Sequence, residues 1–295
     1  MAKIGIDIGG TNIAAGLVAE NGTMTARRSL PFPRGKGLDA VLTVCDTLVD
    51  ALCAQTNTPR TDIEAVGVAV PGSLDAEQAV VLDAHNLGFH HTPLKNALRE
   101  QLALPVTLIN DADAAVLAEH ETGALRGCDA AILITIGTGI GSGLILNNRL
   151  YRGGRGNGTE AGHMVLYQGG RACTCGVDGC AETYCSATGL AKDGAAIGIP
   201  DAHALIDAAK AGDVQAQAVF DRYIDDLGSY LASLVNLLDP DRIAIGGGVS
   251  AAGAFLLEPL RRNAAQKCFF PTCTEIVLAT AGNDAGMLGA ALIAE

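Results

Sequence analysis

The chain has 295 residues, a formal net charge of −12, 49% hydrophobic residues and 18% charged residues. This composition is typical of a folded globular protein with a sizeable core and excludes a disordered chain. The negative charge opposes the phosphate backbone of nucleic acids, so a nucleic-acid-binding function is not expected.

The sequence shows neither a membrane-spanning segment nor a secretory signal. No apolar run reaches the about 18 residues that a spanning helix needs, so no membrane partner is expected. The N-terminal residues enter a strand-like pattern at once, without the charged and apolar regions of a signal peptide. We therefore expect a cytoplasmic protein with reduced core cysteines. Six of its nine cysteines fit that description: Cys45, Cys53, Cys128, Cys185, Cys268 and Cys273.

The first predicted element is a β-hairpin. Two apolar runs flank a polar, glycine-containing turn, which is the usual hairpin signal. Gly9, Gly10 and Thr11 at the tip offer backbone N–H groups without bulky side chains, as a phosphate-binding loop requires. Asp7 enters the tip with a carboxylate that could hold a hydrated magnesium ion. An ordinary tight turn is the alternative for this stretch taken alone.

A second stretch repeats this scheme. Residues 134–145 again read as Ile-x-Ile-Gly, a Gly/Thr tip and a second apolar run, with Thr135 in place of the aspartate. The tip consists of Gly137, Thr138 and Gly139. Two similar hairpins suggest a duplicated α/β domain in which each half presents a phosphate loop to a shared cleft.

The segment between the hairpins alternates helical, strand-like and irregular patterns. Periodicity predicts a helix over Leu38–Ala54, and β-branched residues predict a strand over Ile63–Val70. The stretch Asp83–His91 is polar and aperiodic, which predicts a loop. We expect His90 and His91 to be solvated, because no acidic or cysteine partner lies at metal-ligand spacing.

An Asn-Asp pair follows the next short strand. Residues 105–109 form the strand, and a helix is predicted over Ala114–His120. Asn110 or Asp111 therefore stands at a helix N-terminus, where Asn and Asp are favoured as caps. The carboxyl end of a strand is also where ligands bind in open α/β sheets, so a cap and a catalytic residue are both compatible with this position.

One histidine and three cysteines then fall within eighteen positions. His163, Cys173, Cys175 and Cys180 form the donor set that structural zinc prefers. Gly176 and Gly179 allow the tight turns that bring three thiolates together. The alternative is a group of inert buried cysteines beside a core histidine.

The remainder is helical and rich in alanine before it returns to strands. Helices are predicted over residues 201–212 and 214–238. A buried strand then runs from Arg242 into the triple glycine Gly246, Gly247 and Gly248, which lets a flat ligand lie against the backbone. A strand over residues 275–279 and a helix over residues 283–294 close the chain.

Taken together, these motifs resemble the ROK family of sugar kinases, within the actin-like ATPase superfamily. The resemblance covers nearly the whole chain, and its most specific part runs from Glu160 to Glu182. It implies duplicated ribonuclease H-like domains with an interdomain cleft. The implied boundaries are residues 1–111 plus 283–295 for a small N-terminal α/β domain, and 112–282 for a large C-terminal α/β domain that carries the zinc site.

The resemblance also assigns roles to individual residues. It implies that ATP, Mg²⁺ and a structural Zn²⁺ are the cofactors, and that Asp111 is the catalytic base for a hexose hydroxyl. The implied sugar-binding residues are Gly72, Asn86, Asn110, Asp111, Glu160, His163 and Glu182. The implied ATP-binding residues are Asp7, Gly9, Gly10, Thr11, Thr135, Gly137, Thr138, Gly139, Gly246, Gly247 and Gly248. The zinc would hold His163 by one ring nitrogen and leave the other for a sugar oxygen.

This chain departs from the family pattern on both sides of the first glutamate. The family usually has glycine before it and a larger aliphatic residue after it, whereas this chain has Thr159 and Ala161. Ala161 leaves extra room near the sugar. Glucose is the first expectation, and N-acetylglucosamine, N-acetylmannosamine, mannose, fructose and allose are alternatives.

Two other classes of function remain for comparison. One is a sugar-responsive ROK regulator that lacks a DNA-binding domain, and the other is a catalytically silent sugar-binding module. The regulator is disfavoured because the family's repressors carry an N-terminal helix-turn-helix of several dozen residues, whereas here the phosphate hairpin begins at residue 4 and the net charge is negative. The silent module is disfavoured because Asp111 and both phosphate loops are present. The family resemblance also implies a homodimer.

Overall fold

The structure, a computed structural model, describes residues 2–156, 158–270 and 274–295. Cys273, one of the predicted core cysteines, lies outside the described residues. Over the described ranges the chain forms two compact units. The first comprises the chain up to Glu121, Leu150–Gly158 and Asn283–Glu295, and the second comprises Thr122–Arg149 and Thr159–Gly282.

Strands and helices alternate along the described chain. The strands are β1 (Ala2–Ile8), β2 (Asn12–Val18), β3 (Met24–Pro31), β4 (Ile63–Val70), β5 (Ser73–Leu74), β6 (Val81–Ala84), β7 (Phe89–Thr92), β8 (Val106–Asn110), β9 (Ala131–Ile136), β10 (Ile140–Leu146), β11 (Arg149–Leu150), β12 (Arg242–Gly246) and β13 (Glu275–Leu278). The helices are α1 (Leu38–Thr56), α2 (Leu94–Leu102), α3 (Asp111–Thr122), α4 (Glu182–Cys185), α5 (Ala187–Ala195), α6 (Ala202–Lys210), α7 (Val214–Leu238), α8 (Ala254–Lys267) and α9 (Ala285–Ile293).

The sheet of the first unit has the strand order β3-β2-β1-β4-β8. Its central strand β1 pairs antiparallel with β2 and parallel with β4. Ile4 and Ile6 alternate along β1 on one face of the sheet, where they are fully buried with apolar residues of α1. This alternation places Asp7 on the opposite face.

The sheet of the second unit repeats this arrangement, with the order β11-β10-β9-β12-β13. Its strand β9 pairs antiparallel with β10 and parallel with β12, as β1 does with β2 and β4. Ile134 and Ile136 of β9 are fully buried in a core to which α7 contributes. The predicted α/β fold with duplicated halves is therefore confirmed.

The C-terminal helix α9 covers the face of the first sheet that carries Asp7. The contact is so close that a Cβ on Gly5 would lie 1.8 Å from Met287 O, and one on Gly67 would lie 1.7 Å from Ala290 O. Glycine at these two strand positions therefore lets the helix backbone rest directly on the sheet.

One predicted loop is wrong. Within Asp83–His91, β6 ends and β7 begins, with a 3₁₀ turn between them, and both strands pair with each other in a small sheet that includes β5. Asp83 and His90 face each other across this pair, with Oδ1 and Nδ1 3.2 Å apart and both side chains exposed. An acidic partner for His90 therefore exists, contrary to the sequence-based expectation.

The predicted helix over residues 114–120 begins earlier than expected, at Asp111. The helices predicted over residues 38–54 and 214–238 are confirmed as α1 and α7, and the strand over residues 63–70 as β4. Among the described residues, no helix combines the length and the apolar character needed to cross a membrane.

Candidate active site and metal centre

The first glycine hairpin lies between β1 and β2, as predicted. The N–H of Gly9 donates to Asn12 O across the tip, at 3.0 Å. Asn86 approaches this tip, because a Cβ on Gly10 would lie 3.7 Å from the Asn86 Cβ. The guanidinium of Arg34 donates to Gly10 O at 2.9 Å. Thr11 stays exposed, so the tip presents backbone and one hydroxyl group to solvent.

The Asn-Asp pair marks the junction between β8 and α3. The side-chain oxygen of Asn110 accepts from the backbone N–H groups of Ala112 at 2.8 Å and Asp113 at 3.3 Å, which makes it the cap of α3. Its side-chain nitrogen donates to Gly72 O at 3.1 Å. The structure thus brings Gly72, Asn110 and Asp111 together, with Asn110 fixing the backbone from which Asp111 projects.

Two carboxyl groups of the first unit have raised pKa values. Desolvation raises the pKa of Asp111, and the N–H groups of Ala112 and of Asp111 itself lower it in part. The Asp111 side chain nevertheless keeps a solvent-accessible face. Burial and, to a lesser degree, the charge of Asp111 raise the pKa of Asp7 from 3.8 to about 6. Ionisation of Asp7 is therefore disfavoured both by its burial and by the negative charge of Asp111.

The second glycine hairpin lies between β9 and β10, and the triple glycine follows β12 beside it. Thr135 pairs with Gly246 in the sheet, and a Cβ on Gly247 would lie 2.4 Å from Ile136 O. A Cβ on Gly137 or on Gly248 would meet no described atom within 4 Å. The backbone at these two positions is therefore open to an approaching ligand, which fits the predicted binding of phosphate and adenosine groups.

The tip of this second hairpin is also held by hydrogen bonds from α5. The N–H of Ala187, at the start of α5, donates to Gly137 O at 2.9 Å. The hydroxyl of Thr188 donates to Thr138 O at 2.7 Å. The carbonyl groups of Gly137 and Thr138 therefore already accept hydrogen bonds from the protein itself.

The predicted metal ligands converge in the second unit. The ligand atoms of His163, Cys173, Cys175 and Cys180 all lie within 4.8 Å of one another. Cys173 Sγ lies 3.7 Å from His163 Nδ1, and the Sγ atoms of Cys175 and Cys180 lie 3.5 Å apart. Zn–S bonds of about 2.3 Å and Zn–N bonds of about 2.0–2.1 Å set the ligand atoms of a tetrahedral site roughly 3.4–3.8 Å apart. The spacing and the donor set therefore fit zinc.

The loop between the first and last cysteine depends on its glycines. Gly176 and Gly179 both have φ near the left-handed region, at 87°. A Cβ on Gly179 would also lie 1.7 Å from Tyr167 O. The predicted role of these two glycines in the turn is therefore confirmed.

The four predicted metal ligands His163, Cys173, Cys175 and Cys180 are called the metal cluster below. Glu160 and Glu182 flank it in different ways. Glu160 is exposed and directly precedes the 3₁₀ turn Ala161–His163. Glu182 is half-buried at the start of α4, and its Oε2 accepts from the N–H of Ile140 at 2.9 Å. Its Oε1 lies 3.9 Å from Cys173 Sγ. Glu182 therefore links the second hairpin to the metal cluster, a contact that the sequence analysis did not predict.

Sequence reasoning also missed Arg34 and Ser142. Arg34 lies in an irregular segment with no motif around it. Ser142 of β10 is buried and forms hydrogen bonds with the backbone of residues 159 and 161. A polar residue at a buried position of an apolar strand was the available signal.

Comparison with known proteins places the chain in a family. The sequence model of the ROK family matches residues 3–295. The chain is 34% identical to a glucokinase of Halalkalibacterium halodurans, over 97% of this chain and 92% of that protein. It is also 34% identical to an N-acetylmannosamine kinase of Escherichia coli, over 100% of this chain and 99% of that protein.

A solved structure shows the same relation. The crystal structure of a ROK family glucokinase from Streptomyces griseus, in complex with glucose and AMPPNP, matches with a TM-score of 0.81 and 34% identity. The match covers 100% of this chain and 99% of that chain. With its duplicated sheets, its two glycine hairpins and its His-Cys₃ cluster, this chain belongs to the ROK family.

Proposed function

We propose that this chain transfers a phosphoryl group from ATP to a hexose hydroxyl, with glucose as the first candidate and glucose 6-phosphate as the product. The observation that carries the proposal is the position of Asp111. Its carboxyl group stands where β8 ends and α3 begins, on a backbone fixed by Asn110, and it keeps contact with solvent. Ligands of open α/β sheets bind at such strand ends.

In this proposal Asp111 is the catalytic base. It accepts the proton of the attacking sugar hydroxyl as the oxygen bonds to the γ-phosphorus. The transition state of phosphoryl transfer is loose, so a weak base suffices and positioning matters most. The raised pKa of Asp111 strengthens it as a proton acceptor relative to an ordinary carboxylate.

The residues that would hold the nucleotide are assigned within each unit. In the first unit, Gly9, Gly10 and Thr11 offer the hairpin tip to phosphate. In the second unit, Thr135, Gly137, Thr138 and Gly139 do the same, and Gly246, Gly247 and Gly248 receive the adenosine. Asp7 would hold a magnesium ion through water, and the bound ion would neutralise phosphate charge. Such an ion would also relieve the repulsion between Asp7 and Asp111.

The sugar-binding residues are assigned from the same framework. In the first unit, the proposed sugar-binding residues are Gly72, Asn86, Asn110 and Asp111. In the second unit, they are Glu160, His163 and Glu182. His163 turns Nδ1 toward Cys173 Sγ, so a zinc bound by Nδ1 would leave the other ring nitrogen for a sugar oxygen. A zinc ion held by these residues would be structural, because the chain could supply all four ligands.

N-acetylmannosamine is the second candidate substrate. The N-acetylmannosamine kinase of E. coli has the same 34% identity to this chain as the glucokinase of H. halodurans. Ala161 beside Glu160 is small, which leaves room for a substituent on the sugar ring. N-acetylglucosamine, mannose, fructose and allose remain candidate substrates, because carboxylates recognise hydroxyl groups that many hexoses share.

A coupled ADP-release assay over this hexose panel tests the activity. Glucose should give the highest kcat/KM, and a higher value for N-acetylmannosamine would replace glucose by the second candidate. Asp111→Asn keeps the size of the side chain but removes the base, so turnover should fall by about a thousandfold or more while zinc content and melting temperature are retained. Substantial turnover in Asp111→Asn would remove Asp111 from its role.

Three further predictions accompany this proposal and remain open to measurement. They are the homodimer, the cytoplasmic location, and the division into domains of residues 1–111 plus 283–295 and 112–282. Light scattering of the purified protein measures the first, and limited proteolysis measures the last.

A further inference from the structure

A buried hydroxyl group on β10 ties down the chain on both sides of Glu160. Ser142 is only 4% exposed. Its Oγ donates to Thr159 O at 2.5 Å and accepts from the N–H of Ala161 at 3.0 Å. The hydroxyl of Thr159 donates back to Ser142 O at 3.1 Å. We call this set of three hydrogen bonds the Ser142 latch.

A second anchor follows immediately after Glu160. Gly162 packs on the start of β10 so closely that a Cβ there would lie 2.7 Å from Ile140 O. The N–H of His163 donates to Glu160 O at 3.0 Å, and the His163 side chain belongs to the metal cluster. The backbone of Glu160 is therefore held by the latch on one side and by the cluster on the other.

The latch acts on backbone groups and leaves the Glu160 side chain exposed to solvent. A carboxylate on an irregular segment would otherwise sample many positions, and each sugar hydrogen bond would then cost the entropy of ordering that segment. Three hydrogen bonds to neighbouring residues remove most of this freedom before any ligand binds. The arrangement is that of a supporting shell around a binding residue.

We propose that Ser142 is a positioning residue for sugar binding, which acts by fixing the backbone that carries Glu160. The proposal rests on the proposed function, because only there does Glu160 bind a sugar hydroxyl. Thr159 takes part in the same arrangement, because its hydroxyl donates to Ser142 O. The Ser142 latch would therefore set how rigidly this chain presents Glu160.

The kinetic signature follows from where Glu160 would act. A protein residue that binds the sugar equally well before and during phosphoryl transfer affects KM more than kcat. Ser142→Ala removes the first two bonds of the latch and should raise the KM for the preferred hexose by about tenfold, with kcat changed less than about threefold. The KM for ATP and the zinc content should stay at the wild-type values.

Thr159 gives a matched pair of variants that does not disturb the buried strand position. Thr159→Val keeps the shape and loses the hydroxyl, so the hexose KM should rise by about threefold. Thr159→Ser keeps the hydroxyl and should restore the wild-type KM. This pair decides the question if Ser142→Ala fails to fold or loses zinc, because equal KM values for the two Thr159 variants would then overturn the proposal.

A double-mutant cycle separates positioning from a general structural role. In a Glu160→Gln background, Ser142→Ala should have little further effect on the hexose KM, because the residue through which it acts is already impaired. Multiplicative effects of the two substitutions would overturn the proposal. So would an unchanged KM in Ser142→Ala alongside a raised KM in Glu160→Gln. An unchanged KM in Glu160→Gln would instead refute the proposed role of Glu160 itself.

Discussion

Gly139→Ala tests the link between the second hairpin and Glu182. A Cβ on Gly139 would lie 2.3 Å from Glu182 Oε2, the atom that accepts the N–H of Ile140 at 2.9 Å. The carboxylate is the mobile end of a flexible side chain, so it should move aside while the hairpin backbone stays in place. The substitution should therefore break this hydrogen bond without unfolding the protein.

The size of the effect follows from the bond that is lost. A hydrogen bond to a charged group contributes about 1.5–3 kcal/mol, and each 1.4 kcal/mol corresponds to about a tenfold change. If the carboxylate must keep this position to bind the sugar, kcat/KM for the hexose should fall by about 10- to 150-fold. The hexose KM should account for most of the fall, since Glu182 is a proposed sugar ligand.

The ADP-release assay measures this change, with hexose and ATP varied separately. Gly154→Ala is the matched control, because an alanine there meets no described atom within 4 Å and lies outside the proposed site. The control should keep the wild-type kcat/KM. The reasoning is refuted if folded Gly139→Ala keeps kcat/KM within about twofold of the wild type.

Three other perturbations address stability and metal binding. Gly67→Ala places a Cβ 1.7 Å from Ala290 O, so the free energy of unfolding in urea should fall by about 3 kcal/mol or more, and a fall no larger than in Gly154→Ala would contradict the packing of α9. The raised pKa of Asp7, about 6 against 3.8, makes ionisation unfavourable in the folded state, so in magnesium-free buffer this group should lower stability by up to about 3 kcal/mol as pH rises from about 4 to 6. Asp7→Asn should lack that fall, and parallel stability curves for the two proteins would refute it. Metal analysis should find about one zinc per chain, and its removal by a chelator should lower the melting temperature and raise the hexose KM; a freshly purified protein without zinc would refute the four-ligand assignment.

The elements that sequence predicted well are those whose signal is local. The hairpin strands are apolar runs around glycine turns, and α7 has apolar residues at helical spacing along its whole length. Pattern alone was sufficient for these elements. The helix α2 was not predicted, although Leu94, Leu98 and Leu102 have the same helical spacing and are all fully buried.

The failures have a different physical origin. The strands β6 and β7 are four residues long and half-exposed, so their pairing partner, rather than their own pattern, makes them strands. The cap of α3 was predicted to be Asn110 or Asp111; the structure selects Asn110, whose side chain also donates to Gly72 O, and the helix therefore starts at Asp111. Ser142 is seventeen positions from Thr159, and no local pattern joins them. Contacts between distant residues thus determine most of the detail of the site.

The close packing of α9 on the first sheet affects the order in which the two units can fold during synthesis. The central strands of the first unit, β1 and β4, end by Val70, whereas α9, the helix that covers one of their faces, begins only at Ala285. Lys3 Nζ also donates to Ala294 O, at 2.7 Å. The described core residues of the second unit are all synthesised before α9. We therefore expect the second unit to fold first, while one face of the N-terminal sheet is still uncovered. During translation we expect a chaperone to bind this uncovered sheet of the first unit rather than the second unit.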